Sequence, residues 1–257
     1  MIVIIPARYA SQRLPGKPLL MIAGLPMICH VAMRAMQAQG VSRVIVATDD
    51  ERIAEAVRLC GAEAMMTSPH HASGTDRVAE AAANLDCDVI VNVQGDEPLL
   101  EPENISQAAT PLLEDPSLNF ASLKAVIDNP AELFDPAVVK VVCDVHDYAL
   151  YFSRSPIPFV RDMMLPDQLV AGVKFSDLPV FYKHIGIYVY RKFFLLKFAA
   201  MPKGKLESVE KLEQLRALEA GIKIKVPTTT HSTISVDTPE DLNRVRSIME
   251  PKHNQDF

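Results

Sequence analysis

Residues 6–18 read Pro-Ala-Arg-Tyr-Ala-Ser-Gln-Arg-Leu-Pro-Gly-Lys-Pro and set Arg8, Arg13 and Lys17 within ten positions. Small residues between them would let backbone N–H groups approach a ligand. Arginine forks and a mobile ammonium suit a triphosphate; on a solvated loop the same residues would do nothing. Asp96 follows the apolar run Val89–Val93 through Gln94-Gly95, on a glycine turn. As structure it is a turn aspartate. As a site it would repel phosphate unless a cation lay between them, and Mg²⁺ binds through one or two carboxylates plus phosphate oxygens and water. Asp237 precedes Thr238-Pro239-Glu240-Asp241, where Thr238 suits an N-cap, Pro239 the first turn and Asp241 the reach back from N3. Such a cap would hold Asp237 firmly. Ser73-Gly74-Thr75 offers N–H groups and hydroxyls to a base or ribose, or serves only as a cap. His184, Gly186, Tyr188 and Tyr190 alternate with Ile185, Ile187 and Val189, giving one polar, aromatic strand face over a buried one.

The elements that must position these groups alternate in type. Ile2–Ile5, Arg43–Ala47, Glu63–Met66 and Val89–Val93 read as strands. Met27–Gln39 closed by Gly40, Glu51–Cys60 closed by Gly61, and Val78–Asn84 read as helices between them. That order predicts a doubly wound, mostly parallel sheet with helices on both faces and its ligand edge at the carboxyl ends of the strands. Further on, Phe120–Ile127, Val138–Cys143, Tyr148–Ser153 and Lys183–Tyr190 read as strands with few helices between them. Prolines 156, 158, 166 and 179 mark a long irregular segment. Leu206–Ala220 reads as one helix, Ile222–Val226 as a strand and Pro239–Met249 as the last helix, before a polar tail. On the helix from Leu206, about 100° per residue puts Glu210, Glu213 and Gln214 on one arc. Val209, Leu212, Leu215 and Leu218 fall on a second, which Lys211 and Arg216 interrupt. The expected fold class is α/β, one domain over residues 1–257 with a smaller mixed lobe inserted at about 125–200.

A chain of 257 residues, 49% apolar and 23% charged, has ample surface to bury, which excludes a disordered or fibrous protein. Its net charge of −6 argues against a nucleic-acid partner or stable contact with anionic membrane. No acidic residue precedes Asp49, so the cations at 8, 13, 17, 34 and 43 make the front of an anionic chain positive. The N-terminus lacks the form of a secretory signal, and the longest apolar stretch, around Leu19–Cys29, is broken by Pro26. Cys29, Cys60, Cys87 and Cys143 are too scattered for a C-x-x-C site and read as free thiols. A soluble, cytoplasmic protein is expected.

The order of these residues resembles the 3-deoxy-manno-octulosonate (Kdo) cytidylyltransferases, the CMP-Kdo synthetases. Residues 6–19 match that family's nucleotide loop throughout. The further matches are Ser73-Gly74-Thr75-Asp76-Arg77, Asn92–Pro98, Tyr151–Arg154 with Ile157-Pro158, His184–Tyr188, Leu212–Arg216 and Val236–Leu242, in family order. The resemblance implies a nucleotide-diphospho-sugar transferase type of fold and transfer of CMP from CTP to the C2 hydroxyl of Kdo, with release of pyrophosphate, for lipopolysaccharide synthesis. It implies Arg8, Arg13 and Lys17 on the phosphates and Mg²⁺ on Asp96 and Asp237, these five forming the catalytic set. Ala7, Ser11, Ser73, Thr75, Arg77 and Gln94 would complete the nucleotide site. His184, Tyr188, Glu213 and Gln214 would hold the sugar, with Arg154 and Arg161 as partners for its carboxylate. A homodimer is implied as well, with the 155–180 segment as part of the contact.

Departures gather on the sugar side. The family commonly reads Arg-His-Leu-Gly-Ile-Tyr-Gly-Tyr-Arg, whereas this chain has Lys183, Ile185 and Val189. Ser232–Ser235 stand where a glycine is usual, and Lys205 where a proline is. The 8-amino-8-deoxy analogue of Kdo, or another sialic-acid-like sugar, is therefore an alternative substrate. Other nucleotide folds fit less well. G-x-x-x-x-G-K-[ST] fails at Ser11 and Pro18, and G-x-G-x-x-G is missing from the loop. A metal-dependent glycosyltransferase needs Asp-x-Asp after a strand, but Asp86-Cys87-Asp88 precedes one. A non-catalytic nucleotide sensor would keep the basic loop without both carboxylates and a sugar face.

Overall fold

The computed structural model describes residues 1–10, 14–165, 167–231 and 233–250. Ser11 and Arg13 of the basic loop, and most of the polar tail, therefore lie outside the described residues. Strand β1 (Ile2–Ala7) runs at the centre, parallel to β4 (Arg43–Thr48) on one side and β6 (Val89–Asn92) on the other, with β5 (Glu63–Met66) parallel beyond β4. Between them lie the hairpin β2 (Met21–Ile22) and β3 (Leu25–Pro26), and helices α1 (Met27–Ala35), α2 (Glu51–Leu59) and α3 (Gly74–Ala83). Alternation along β1 divides the core. Val3 and Ile5 face α1 and α2, while Ile2 and Ile4 face α3, so all four of these side chains are buried.

The other half of the sheet reverses direction. After α4 (Pro102–Glu114) come β7 (Phe120–Val126), the short α5 (Pro130–Phe134), and an antiparallel pair of β8 (Lys140–Cys143) and β9 (Ala149–Ser153). Strand β10 (Tyr182–Arg191) then inserts antiparallel between β6 and β7, and leads into α6 (Lys192–Ala199). The chain ends with α7 (Lys205–Glu210), α8 (Leu215–Glu219), β11 (Thr228–Thr229) beside β7, and α9 (Pro239–Met249). The mostly parallel, doubly wound sheet is as expected. Between β7 and β10 a small separate core forms from Ile127, Leu133, Met164 and Phe181.

Three readings of local structure change. The segment 206–220 is two short helices, because Lys211 takes a left-handed conformation (φ 55°, ψ 42°) that ends α7. The predicted strand at 222–226 is only two isolated bridges at Lys225, to Ala121 and Tyr148, and the regular pairing comes later, at β11. Helix α4 is an addition to the expected elements, and it carries Pro111 three residues from its end. No helix among the described residues is long and apolar enough to cross a membrane. The four cysteines are unpaired, Cys29 buried and the others half-buried.

Candidate active site

Two cavities open at the carboxyl edge of the parallel strands, of about 850 and 490 Å³. Gly74, Gln94, Asp96 and Asp237 line both, so the cavities meet at the two carboxylates. The turn that carries Asp96 packs close under β1. A side chain on Gly95 would bring a Cβ to 3.1 Å from the Pro6 carbonyl oxygen and 3.2 Å from Ile28, which only glycine avoids. Asp237 is fixed from the other direction. Thr238 caps α9 by accepting from the Asp241 N–H at 3.2 Å, and Asp241 accepts in return from the backbone N–H groups of Asp237 and Thr238 at 3.0 and 2.9 Å. The Val236 N–H donates to the Asp96 carbonyl at 2.8 Å and ties the two turns together.

Lys17 lies between the carboxylates. Its ammonium donates to Asp96 Oδ2 at 2.6 Å, to the Val236 carbonyl at 2.8 Å and to Asp237 Oδ1 at 3.1 Å. A positive charge thus lies between Asp96 and Asp237. Among the described residues no three His, Cys, Asp or Glu side chains cluster as a complete metal site. Two carboxylates and no more suit a hard divalent ion that takes its remaining oxygens from phosphate and water.

The larger cavity is walled by Pro6, Ala7, exposed Arg8, Lys17, Ser73 and Arg77. Ser73 is the N-cap of α3, which begins four residues earlier than its apolar pattern suggests. Arg77 is buried and engaged: it donates to Thr67 Oγ1 at 2.5 Å and to Asp49 at 2.9 Å. Arg34 and Arg43 lie outside both cavities, paired with Glu101 and Glu63.

The smaller cavity collects Thr75, Gln94, Arg154, His184, Tyr188, Glu213 and Gln214. The break at Lys211 is what brings Glu213 and Gln214 here, while Leu212 and Leu215 remain in the core. The imperfect helical wheel, with Lys211 and Arg216 on its apolar arc, is the trace of that break in the sequence. Glu213 accepts from Thr75 Oγ1 at 2.8 Å, from Ser73 Oγ at 3.2 Å and from Arg216 at 3.3 Å. Burial nonetheless raises its pKa. Tyr188 donates its hydroxyl to Gln214 Oε1 at 3.3 Å. His184 Nε2 is 2.7 Å from Ser122 Oγ, and its ring packs at 5.0 Å from Phe152 and 5.4 Å from Tyr188. Burial pushes its pKa down to about 3, so the ring is neutral at pH 7. Arg154 donates to the carbonyls of Glu210 and Pro136, both at 2.8 Å. Arg161 is exposed and lines neither cavity.

Some lining residues escaped the motif reading. Glu97, 5% exposed, faces the smaller cavity beside Gly186, and burial with Asp96 next to it pushes its carboxyl up to about 8. Its place as the second acid after Gly95 was the available signal. Glu132 and Lys183 form an ion pair on the outer wall, Nζ reaching both carboxylate oxygens at 2.8 Å. They are 51 residues apart and no local pattern joins them.

The profile of the cytidylyltransferase family matches residues 2–224. The chain is 54% identical to the 3-deoxy-manno-octulosonate cytidylyltransferase of Geobacter sulfurreducens over 94% of its own length and 96% of the relative's. It is 55% identical to that of Geotalea uraniireducens, covering 94% and 96%. A solved structure of CMP:2-keto-3-deoxy-manno-octonic acid synthetase complexed with CTP superposes with a TM-score of 0.87 at 43% identity, over 96% of this chain and 97% of that one. A cytidylyltransferase from Leptospira borgpetersenii, 16% identical with a TM-score of 0.60 over 95% and 84%, shares the fold.

Proposed function

We propose that this chain, which belongs to the cytidylyltransferase family, transfers CMP from CTP to the C2 hydroxyl of Kdo and releases pyrophosphate. The observation that carries the reading is the meeting of a basic cavity and a polar, aromatic one at a pair of fixed carboxylates. CTP would lie in the first, with Arg8, Arg13 and Lys17 on its phosphates and Ala7, Ser11, Ser73, Arg77 and Gln94 around the nucleoside; Thr75, expected there as well, instead lines the second cavity and donates to Glu213. Kdo would lie in the second, against His184, Tyr188, Glu213 and Gln214, with Arg154 beside its carboxylate; Arg161, exposed and outside both cavities, takes no part. Asp96 and Asp237 would hold Mg²⁺. When bound, the ion neutralises phosphate charge and acidifies a hydroxyl near it.

The chain's own contribution is positioning. Cations on one side and hydrogen-bonding groups on the other bring two anionic substrates into line without a covalent intermediate. His184 is neutral, and its Nε2 is engaged by Ser122, which makes it a wall of the sugar site and not a base. Glu213 lines the sugar cavity and accepts from Ser73, which lines the nucleotide cavity, so the two sites are linked by a hydrogen bond. The segment between β7 and β10 supplies the outer sugar wall and, in this reading, part of a homodimer contact. Pyrophosphate release tests the assignment: CTP should yield it only when Kdo is present. Release without sugar, or none with it, would reject the proposal.

A further inference from the structure

Lys17 has two destinations in this molecule. It lines the larger cavity with Ala7 and Arg8, where a triphosphate would meet it. Its ammonium is nevertheless spent on the carboxylates, and Asp96, Asp237 and the Val236 carbonyl accept one bond for each of its three protons. The backbone beneath it is fixed. The Lys17 N–H donates to the Leu14 carbonyl at 3.0 Å, the Leu20 N–H donates to the Lys17 carbonyl at 3.2 Å, and Pro18 is buried. Only the side chain is left to change partners. An ammonium in contact with both carboxylates and a divalent cation on the same carboxylates exclude one another, by size and by like charge.

We infer that Lys17 guards the cation seat: without nucleotide its ammonium competes with a divalent ion for Asp96 and Asp237, and the triphosphate opens the seat by drawing Lys17 onto itself. This inference rests on the proposed assignment of the metal to those two residues. Metal affinity then depends on nucleotide, and by linkage nucleotide affinity depends on metal. If the open seat is about 10% populated, apparent metal affinity falls about tenfold below its intrinsic value.

The probe is Mn²⁺, titrated against the full chain without nucleotide and followed by the paramagnetic resonance of the free ion. Lys17→Met is expected to bind Mn²⁺ about tenfold or more tightly than the wild type. Lys17→Gln, which keeps a donor but loses the charge, is expected to follow it. Arg8→Met removes a cation from the same cavity but not from the carboxylates, and should change affinity less than about threefold, because exposed charge is screened. Adding Asp96→Asn to Lys17→Met should abolish the gain. Loss of a merely structural contact would loosen the ion. Equal or weaker binding in both folded Lys17 variants therefore overturns the inference. A separate titration with a non-reactive CTP analogue tests the premise: if no Asp96-dependent Mn²⁺ is retained there, the metal assignment fails and the inference falls with it.

Discussion

At the triphosphate end of the cleft, most of the wall comes from one loop, Pro6–Pro18, and one helix start, residues 71–77. At the sugar end, the wall is gathered from β6 and its turn, α5, the approach to β8, the far side of β9, β10 and the break after α7. The first end is exposed and positively charged, and its chemistry is carried by neighbours in sequence. The second is more buried, its titratable groups are shifted by desolvation, and it exists only once β10 has inserted antiparallel into the sheet. A short loop can thus specify a nucleotide site, whereas a sugar site is specified by topology. The two ends join at Gly74, Gln94, Asp96 and Asp237, and Glu213 links them through its bond from Ser73.

The harshest way to break the cleft is at that join. Asp96→Asn should lower kcat about 10³-fold, as expected when charge stabilisation worth several kcal/mol is removed. The unfolding midpoint should hardly move, because Asp96 is half-buried on a turn fixed by Gly95 and the backbone bond from Val236. Turnover at the wild-type level would remove the metal assignment. Glu213→Ala asks whether the ends are coupled. It strips acceptors from Ser73, Thr75 and Arg216, and should lower kcat/KM about 10²-fold for both CTP and Kdo, since each bond to a charged group is worth about 1.5–3 kcal/mol. An effect on Kdo alone would show two independent ends.

The same contrast explains what could be read beforehand. Strand β1 and the cap at Thr238 are local, and their patterns carried over into the structure intact. The pair Glu132–Lys183 and the contact of Ser122 with His184 join residues 51 and 62 positions apart, which no periodicity links. Lys211 is the sharper case. Nothing in its residue type asks for a left-handed backbone, and a host of good helix formers surrounds it, yet the helix ends there so that Glu213 and Gln214 face the cavity while Leu212 and Leu215 stay buried. Tertiary packing outweighed local propensity.

Stability against pH probes the burial of the sugar end. His184 has its pKa lowered by burial from 6.5 to about 3, so between those values the unfolded chain binds a proton that the folded chain refuses. Stability attributable to this group is complete above pH 6.5 and is lost as pH falls toward 3. From pH 7.5 to 5.0 the loss should be about 2 kcal/mol. Urea unfolding of wild type and His184→Asn at the two pH values checks it. The mutant, though less stable overall, should lose about 2 kcal/mol less on acidification. An identical pH dependence would mean that the ring is accessible and the sugar end as open as the triphosphate end.

The finest test concerns which sugar the outer wall accepts. The reacting C2 hydroxyl must meet the triphosphate near Asp96 and Asp237, so the sugar's last carbon points the other way. Gly186 lies against Gln94 and Glu97, near the junction, and Lys183 is three residues back along β10, about 10 Å at 3.3 Å per residue. The C2 hydroxyl belongs to the ring form of the sugar, whose ring and exocyclic C7–C8 tail would extend from the junction along this strand. At that distance Lys183 reaches both oxygens of Glu132, so the acid's charge is already balanced. A neutral terminal hydroxyl suits such a wall better than an ammonium, which favours Kdo over its 8-amino-8-deoxy analogue. Lys183→Met leaves Glu132 without its counter-charge, and the ratio of kcat/KM for the amino sugar over Kdo should rise about five- to tenfold, the worth of one partly exposed ion pair of about 1 kcal/mol. The sign matters more than the size, because loss of packing alone would weaken both sugars alike. An unchanged ratio would place the terminal carbon away from this wall, and the departures at Lys183, Ile185 and Val189 would then have no bearing on sugar choice.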